Sequence, residues 1–517
     1  MTNLSELLPS GGGQNAESFT ATGTLNNGTI VGLKTDGTVA VLDPDAVGSP
    51  ADFPSSFAVQ LAAACYDPIR DVVHVAYKDN STQYVTHSAG SISGSTITWG
   101  TKSTVSTETP KRIDIAFMES IQFPIVAYCL SSGGQDFKVR SGSGGSGTSM
   151  NWNGNLHTVQ SGQTRDCYIA YNPSNSDASS AETLVLYTYE PNGYVYMAAL
   201  ETTNGASTST RLGVTSLAYY SGDQMDTVGL VKVGTGSSFL AVLNRNNYTT
   251  NHTGSYAYQI AISSTQINFS TGAVIGTGYG ASGTVVDQAL TSNTGRMASD
   301  GSSNYGVITG SFKEGSSGAQ SLRAYVITAN GTAVTPTVTG PVDMVPGVTG
   351  NLFFGTTTVY DSSASKYVTV TGYGNNSYYG YVLTSSLSGT TFTVDAGAIS
   401  LQSQNIYYDA LTAAYSEHSN NTVIASQQNP QAAYRGVTFS IGSLNLDRVI
   451  GITAQAITNG ASGTVNLLGG INESQSGLTP GTDYYIDAST GQLTATSSGN
   501  TFIGTAISGT TINIKDL

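Results

Sequence analysis

Apolar positions along this chain come in short runs broken by turn residues. The clearest stretch is Tyr66-Asp67-Pro68-Ile69-Arg70-Asp71-Val72-Val73-His74-Val75-Ala76-Tyr77-Lys78-Asp79. It reads as the end of a strand, a tight turn at Asp-Pro, and a second strand from Val72 to Tyr77 that is apolar on both faces. Elsewhere β-branched and aromatic residues alternate with polar ones between Gly, Asn and Ser. No stretch sustains a 3.6-residue period, so the expected class is all-β.

The pattern recurs. Tyr171-Asn172-Pro173 precedes Thr183-Leu184-Val185-Leu186-Tyr187, Tyr360-Asp361 precedes Lys366-Tyr367-Val368-Thr369-Val370, and Tyr415-Ser416-Glu417 precedes Thr422-Val423-Ile424-Ala425. Weaker copies begin at Ala116, Val228 and Met297. Marked by the first strand of each unit, the copies fall at 65, 116, 169, 228, 297, 358 and 412. In the first unit, strands are expected at 61–66, 72–77, 84–87 and 96–99, the last being the outer strand. Four antiparallel strands at this period make one propeller blade, and units that cannot bury an apolar face alone must stack. The expectation is a seven-bladed β-propeller over residues 55–445, with six or eight blades still compatible with the long gap from 228 to 297. Ring closure would leave few open strand edges.

The two ends differ from the repeats and resemble each other. Thr29 to Leu33 and Thr38 to Leu42 flank Asp36-Gly37, a dipeptide suited to a type I′ hairpin turn. Residues 446–517 carry short strands with short turns, such as Arg448 to Ile452 and Tyr484 to Asp487. The 18–45 hairpin and the 446–517 segment are therefore expected to form one small β-barrel or sandwich, with the propeller inserted in it. Residues 1–17 stand apart: Leu4, Leu7 and Leu8 have the spacing of one apolar helical face, followed by Gly11-Gly12-Gly13.

Composition narrows the function classes. With 19 basic against 33 acidic residues, the net charge of −14 argues against phosphate-backbone or anionic-lipid binding and suits solubility by self-repulsion. No partner nucleic acid and no membrane insertion are expected, and no run approaches a spanning helix. The start lacks a basic region and an apolar core, so no secretory signal is expected. The three cysteines, Cys65, Cys129 and Cys167, sit in or beside apolar strands with no CxxC spacing. They read as buried free thiols made in a reducing compartment.

Catalytic motifs are missing: no G-x-S-x-G, no phosphate-binding loop, no H-E-x-x-H. Five scattered histidines lack ligand spacing, and His74 lies in the most apolar strand of its unit, so no metal and no cofactor are expected. Asp67, Asp71, Asp79 and Asp361 fall where turns use Asp for its own backbone hydrogen bonds. A sialidase-type turn box would need an Asp that Ser93-Gly94-Ser95-Thr96-Ile97-Thr98-Trp99 does not have. The expectation is a protein that is not an enzyme. Binding chemistry fits better, because the turns after the second strand of each unit combine Asn, Ser and Tyr, which join rigid area to adaptable hydrogen bonding. The candidate receptor-binding positions are Asn80, Tyr194, Asn247, Tyr248, Tyr378 and Tyr379.

Three parts of the chain resemble one family. Leu4-Ser5-Glu6-Leu7-Leu8-Pro9-Ser10-Gly11-Gly12-Gly13-Gln14-Asn15 looks like the start of virion structural proteins of tailed phages, especially marine and cyanobacterial ones. The Tyr-Asp-Pro units resemble repeats of their tail-fibre-like proteins. Ile450 to Ile457, Gly460 to Val465 and Ser476 to Asp487 resemble their shared terminal domain. The resemblance implies a fibre-type appendage for attachment to host-surface glycan or another receptor. It implies release by lysis, a virion location, a homotrimer, and residues 1–17 as an anchor to other virion proteins through Leu4, Leu7 and Leu8. A capsid or collar decoration protein and a glycan-cleaving propeller enzyme remain the alternatives.

Overall fold

The computed structural model describes residues 15–34, 37–42, 45–54, 59–191, 193–204, 207–218, 224–246, 253–277, 296–313, 320–332, 334–345, 353–373, 379–395, 398–429, 434–442, 449–487, 491–497 and 500–515. All regular structure among them is β. The chain divides into two compact units, 1–46 with 440–517, and 47–439.

The larger unit is propeller-like. Four successive antiparallel sheets occupy 59–106, 110–160, 164–218 and 224–277, a fifth occupies 296–343, and a nine-stranded sheet covers 353–440 together with two short strands from residues 46–52. The first strands of the units, Val59–Asp67, Pro110–Met118, Thr164–Asp177, Gln224–Val233, Arg296–Ala298, Phe353–Asp361 and Ile399–Ser416, each pack against the next, and Ile399–Ser416 packs against Val59–Asp67. Apolar clusters fill the gaps between sheets. Ile115, Val126 and Tyr128 meet Ala63 and Val85 between the first two, and Phe137 meets Val185 and Tyr187 between the next two. Each fully buried Val or Leu contributes about 1.5–3 kcal/mol.

Two details depart from the expected blade. The third strand of the first sheet runs Val85–Ser93, and its outer edge is shared: Thr96–Trp99 pairs with one half and Ser103–Ser106 with the other. Trp99 is thereby turned inward and lies 3.8 Å from Phe53, centroid to centroid. Gly90 and Gly436 make room for it, since a Cβ at either would meet the indole at 2.7 and 2.5 Å. The last two units also share one sheet. The segment 399–416 holds neither Gly nor Pro, so nothing breaks the chain between the outer strand of one unit and the first strand of the next. That strand pairs with Tyr379–Ser388 at one end and with Asn421–Asn429 at the other. Ala51–Asp52, from before the first sheet, completes the last one by pairing with Arg435 and Gly436.

The Tyr-Asp signature has two jobs. Asp67 accepts hydrogen bonds from the Ile69 and Arg70 amides at 2.8 and 3.0 Å, and Asp361 does the same for Ser363 and Ala364. The tyrosine reaches backward: Tyr66 Oη accepts from the His418 amide, Tyr171 Oη from Ser120, and Tyr415 Oη from Ser363. Each therefore ties its unit to the turn of the preceding one, for about 1 kcal/mol. Asp71, expected as a turn residue, is used differently: it accepts from Tyr66 Oη at 2.9 Å and from Ser416 Oγ at 3.1 Å.

The smaller unit contains two five-stranded antiparallel sheets. In one, Ala16–Thr20 pairs with Ser462–Leu467, then Val449–Thr453, Ile30–Leu33 and Val39–Val41 follow. The other holds Ile471–Asn472, Ile512–Ile514, Thr501–Ala506, Asp483–Ile486 and Leu493–Thr494. Ile30, Ile452, Ile486, Ile503 and Ile512 form a shared core, so residues from both parts of the unit are interleaved in sheet and core alike. The Asp36 of the hairpin turn lies outside the described residues, while Gly37 sits at a φ of 81° and the Lys34 amide bonds to Thr38.

Candidate functional site: a tyrosine tile on the third sheet

Strands Ser180–Tyr189 and Tyr194–Thr203 form a hairpin in which Tyr189 stands opposite Tyr194 and Tyr187 opposite Tyr196. Residues two apart share a face, so the four phenols make one tile. Tyr187 is its buried root, 5.1 Å from Phe137 of the second sheet, and it donates to Gln160 Oε1 at 3.3 Å. Burial pushes its phenol well up from the ordinary range, and the neighbouring Tyr196 adds to the shift. Tyr196 lies 5.8 Å from Tyr187, 6.2 Å from Tyr189 and 5.8 Å from Tyr194. Tyr189, Tyr194 and Tyr196 are half-buried.

Polar groups border the tile on the side of the second sheet. Lys111 Nζ lies 3.3 Å from Glu190 Oε1 and donates to Gln135 Oε1 at 3.4 Å. The Gly162 amide donates to Asp136 Oδ1 at 2.9 Å, and a Cβ at Gly162 would sit 3.4 Å from the Tyr189 hydroxyl. The crossing segment is pinned by its backbone, with the Glu190 amide on the Gln163 carbonyl and the Thr164 amide on that of Gln135. Below it, Arg112 Nε donates to Asp166 Oδ1 at 2.8 Å. Burial pulls the Arg112 guanidinium down, but Asp166 outweighs it and raises it overall. Rigid aromatic faces beside amides and paired charges can stack on a sugar ring and exchange hydrogen bonds with its hydroxyls.

Of the positions expected from sequence, Tyr194 belongs to this tile. Asn80 is exposed on the first sheet, where Gln83 Nε2 donates to its carbonyl and side-chain oxygens at 2.8 and 3.1 Å. Tyr379 begins strand Tyr379–Ser388, opposite Tyr373, and its side chain is outside the description. Asn247, Tyr248, Tyr378, Leu4, Leu7 and Leu8 lie outside the described residues. Tyr189, Tyr196, Lys111 and Gln135 were not singled out from sequence. The alternation Tyr187-x-Tyr189 and Tyr194-x-Tyr196 was the available signal.

Two other polar clusters among the described residues are centred on buried side chains. His74 Nδ1 and His87 Nε2 are 2.9 Å apart, His74 Nε2 is 3.4 Å from Asp67 Oδ2, and His87 Nδ1 is 3.3 Å from Ser103 Oγ. Burial lowers both imidazoles from their ordinary range. Asp67 is raised by burial but lowered overall by His74 and Arg70. Glu182 is likewise buried, held by Asn172, Asn175 and Arg211. Among the described residues no three His, Cys, Asp or Glu form a metal-holding group. No helix among them is long and apolar enough to cross a membrane.

Residues 418–511 match the family described as phage cement protein. That match supports a phage virion structural protein. No curated protein matches. Solved structures with a similar chain path include a polysaccharide lyase of the PL25 ulvan lyase family, at 10% identity and a TM-score of 0.43, over 81% of this chain and 96% of that one. A protein from Lactobacillus plantarum is similar at 12% identity and a TM-score of 0.42, over 75% and 96%. Drosophila Semaphorin 1b, extracellular domains 1–2, is similar at 9% identity and a TM-score of 0.42, over 77% and 87%.

Proposed function

We propose that this chain is a fibre-type phage appendage in which a seven-bladed propeller binds host-surface glycan. The small β unit, which holds most of the 418–511 match, serves attachment to the particle, as does the segment with Leu4, Leu7 and Leu8. The closed succession of seven first strands supports the blade number. The observation that carries the binding role is the half-buried tile of Tyr189, Tyr194 and Tyr196. Three phenols left partly open at one hairpin are poor economy for a core and good provision for a ligand. A homotrimer is the assembly expected of such a fibre.

Binding of the labelled full-length chain to host cells, compared with a Tyr189→Ala/Tyr194→Ala variant of equal melting temperature, tests the role. Equal cell binding by both proteins would overturn it. The cement-protein match favours a second reading, decoration of the capsid without receptor contact. Label on the capsid shell of intact virions, with no binding to host cells, would establish that reading instead. The protein is further proposed to bind without cleaving. Turnover of host polysaccharide by the purified chain, abolished by replacing a carboxylate, would overturn that.

A further inference from the structure

We propose that the contact between the first and second sheets is an acid-sensitive joint, closed by a pair of neutral histidines and released when that pair takes up protons. His74 and His87 project from neighbouring strands of the first sheet, Val72–Asp79 and Val85–Ser93, and both are buried. What covers them belongs to the second sheet and its loop. Phe117 stacks on His74 at 6.0 Å, and Trp152 meets His87 edge-on at 5.1 Å. Beside them Ala76 and Val85 pack on Ile115 and Val126. Water therefore reaches the pair when the two sheets part.

The hydrogen bonds through the pair form one directed chain. Asp67, held ionised by Arg70 at 2.7 Å, only accepts, so His74 donates to it from Nε2. A neutral His74 then accepts at Nδ1, and His87 donates to it from Nε2 at 2.9 Å. His87 Nδ1 is left to accept from Ser103 Oγ at 3.3 Å, and Ser103 accepts in turn from Trp152 Nε1 at 3.1 Å. Each ring nitrogen thus has a partner of the right kind, and the chain ends in the loop of the second sheet. A first added proton reverses the chain, which takes the acceptor from the Ser103 hydroxyl and leaves a cation out of water. A second puts N–H groups on both facing nitrogens.

Little nearby charge offsets such a cation. Asp67 is already shared with Arg70, whose guanidinium opposes a charge on His74. Cys65, opposite His74 in register, is a thiol that burial keeps protonated. Lys78 shares the face of Ala76, the residue opposite His87, and adds positive charge. On the second sheet, Asp114 turns to the third and accepts from the Ile169 amide. Glu108 is taken by Lys138 and Tyr128, and Arg140 donates to the Val105 and Gly154 carbonyls. Burial accordingly lowers both imidazoles and outweighs the pull of Asp67 on His74. Protons bind the parted form more readily than the closed one, so the joint loosens as pH falls. No other histidine among the described residues is buried, so the other sheet contacts lack this trigger.

Hydrogen–deuterium exchange of the full chain at pH 7 and pH 5, with each peptide referred to its unfolded rate, tests the joint. Peptides from 72–93 and 142–157 are expected to lose about tenfold or more in protection at pH 5, against less than about twofold for 180–203 in the third sheet. His87→Gln should remove that difference. Ser103→Ala, which leaves His87 Nδ1 without its donor, should move the loss to higher pH. Equal loss in the first and third sheets, or loss in neither, would overturn the joint, and this comparison within one protein holds whether or not a variant folds. A local loss unchanged in both variants would overturn the role of the pair.

Discussion

The two ends of a blade in the larger unit are built on opposite terms. At the end with the Tyr-Asp turns, donors and acceptors are matched within the protein. Asp67 and Asp361 cap their own turns, and Tyr66, Tyr171 and Tyr415 bind the turn of the unit before. At the far end of the third sheet, Tyr189 and Tyr194 face each other across a hairpin and are half-buried. The repeated residues hold the ring together, and the site proposed for ligand sits where the repeat lapses. A signature that recurs at Tyr66, Tyr171 and Tyr415 serves a task these units share, which is to dock on a neighbour.

Substitutions should separate the ends by size of effect. Asp67→Ala removes the acceptor of two amides and of the Arg70 guanidinium, whose Nη1 lies 2.7 Å from a fully buried oxygen. A loss of about 3–5 kcal/mol is expected in denaturant unfolding, because the remaining groups are left unpaired. Crowding Trp99 comes next. Gly436→Val, which puts a Cβ 2.5 Å from the indole, should cost about 1–3 kcal/mol. Tyr171→Phe deletes one latch and should cost about 1 kcal/mol, with no change in glycan retention. Tyr194→Ala should be smallest in stability, within about 1 kcal/mol by melting. It should be the only one of the four to weaken binding with the fold intact. If Tyr171→Phe weakened binding as much as Tyr194→Ala, the division between the two ends would be wrong.

Acid should also act at the latched end. His74 and His87 are buried neutral and titrate below 6.5, so the unfolded chain binds protons more readily than the native one. Stability from the pair is complete above pH 6.5 and is lost as pH falls towards their native values. Asp67, lowered from 3.8 against Arg70 and His74, holds its share until more acid conditions. Melting temperature should therefore fall between pH 7 and 5, and less so in His87→Gln. An equal slope in the two proteins would place the titration elsewhere.

The strand at Val72 and the turn at Asp67-Pro68 were legible because both depend on neighbours in sequence. The latches were not. Tyr171 finds its partner at Ser120, across a sheet boundary, and the second sheet has Phe117 where the first and third have Tyr66 and Tyr171. The fusion of the last two units was readable in the missing Gly and Pro of 399–416, but a search by period assumes a break there. For the site, composition pointed to Tyr194. Its relation to Tyr189 and Tyr196 depended on hairpin register, which the intervening Glu190-Pro191-Asn192-Gly193 does not specify alone.

The pairing of Ala51–Asp52 with Arg435 and Gly436 carries a consequence for synthesis. The two partners are about 380 residues apart, so at roughly 5–20 residues per second the earlier strand waits about 20–80 s for the later one. During that interval the circle has a gap, and the Ala51–Asp52 strand stands without its partner among other nascent copies. Ribosome-stalled chains ending before Tyr434 should be cut readily by protease near Ala51, and chains extended past Ser440 should resist.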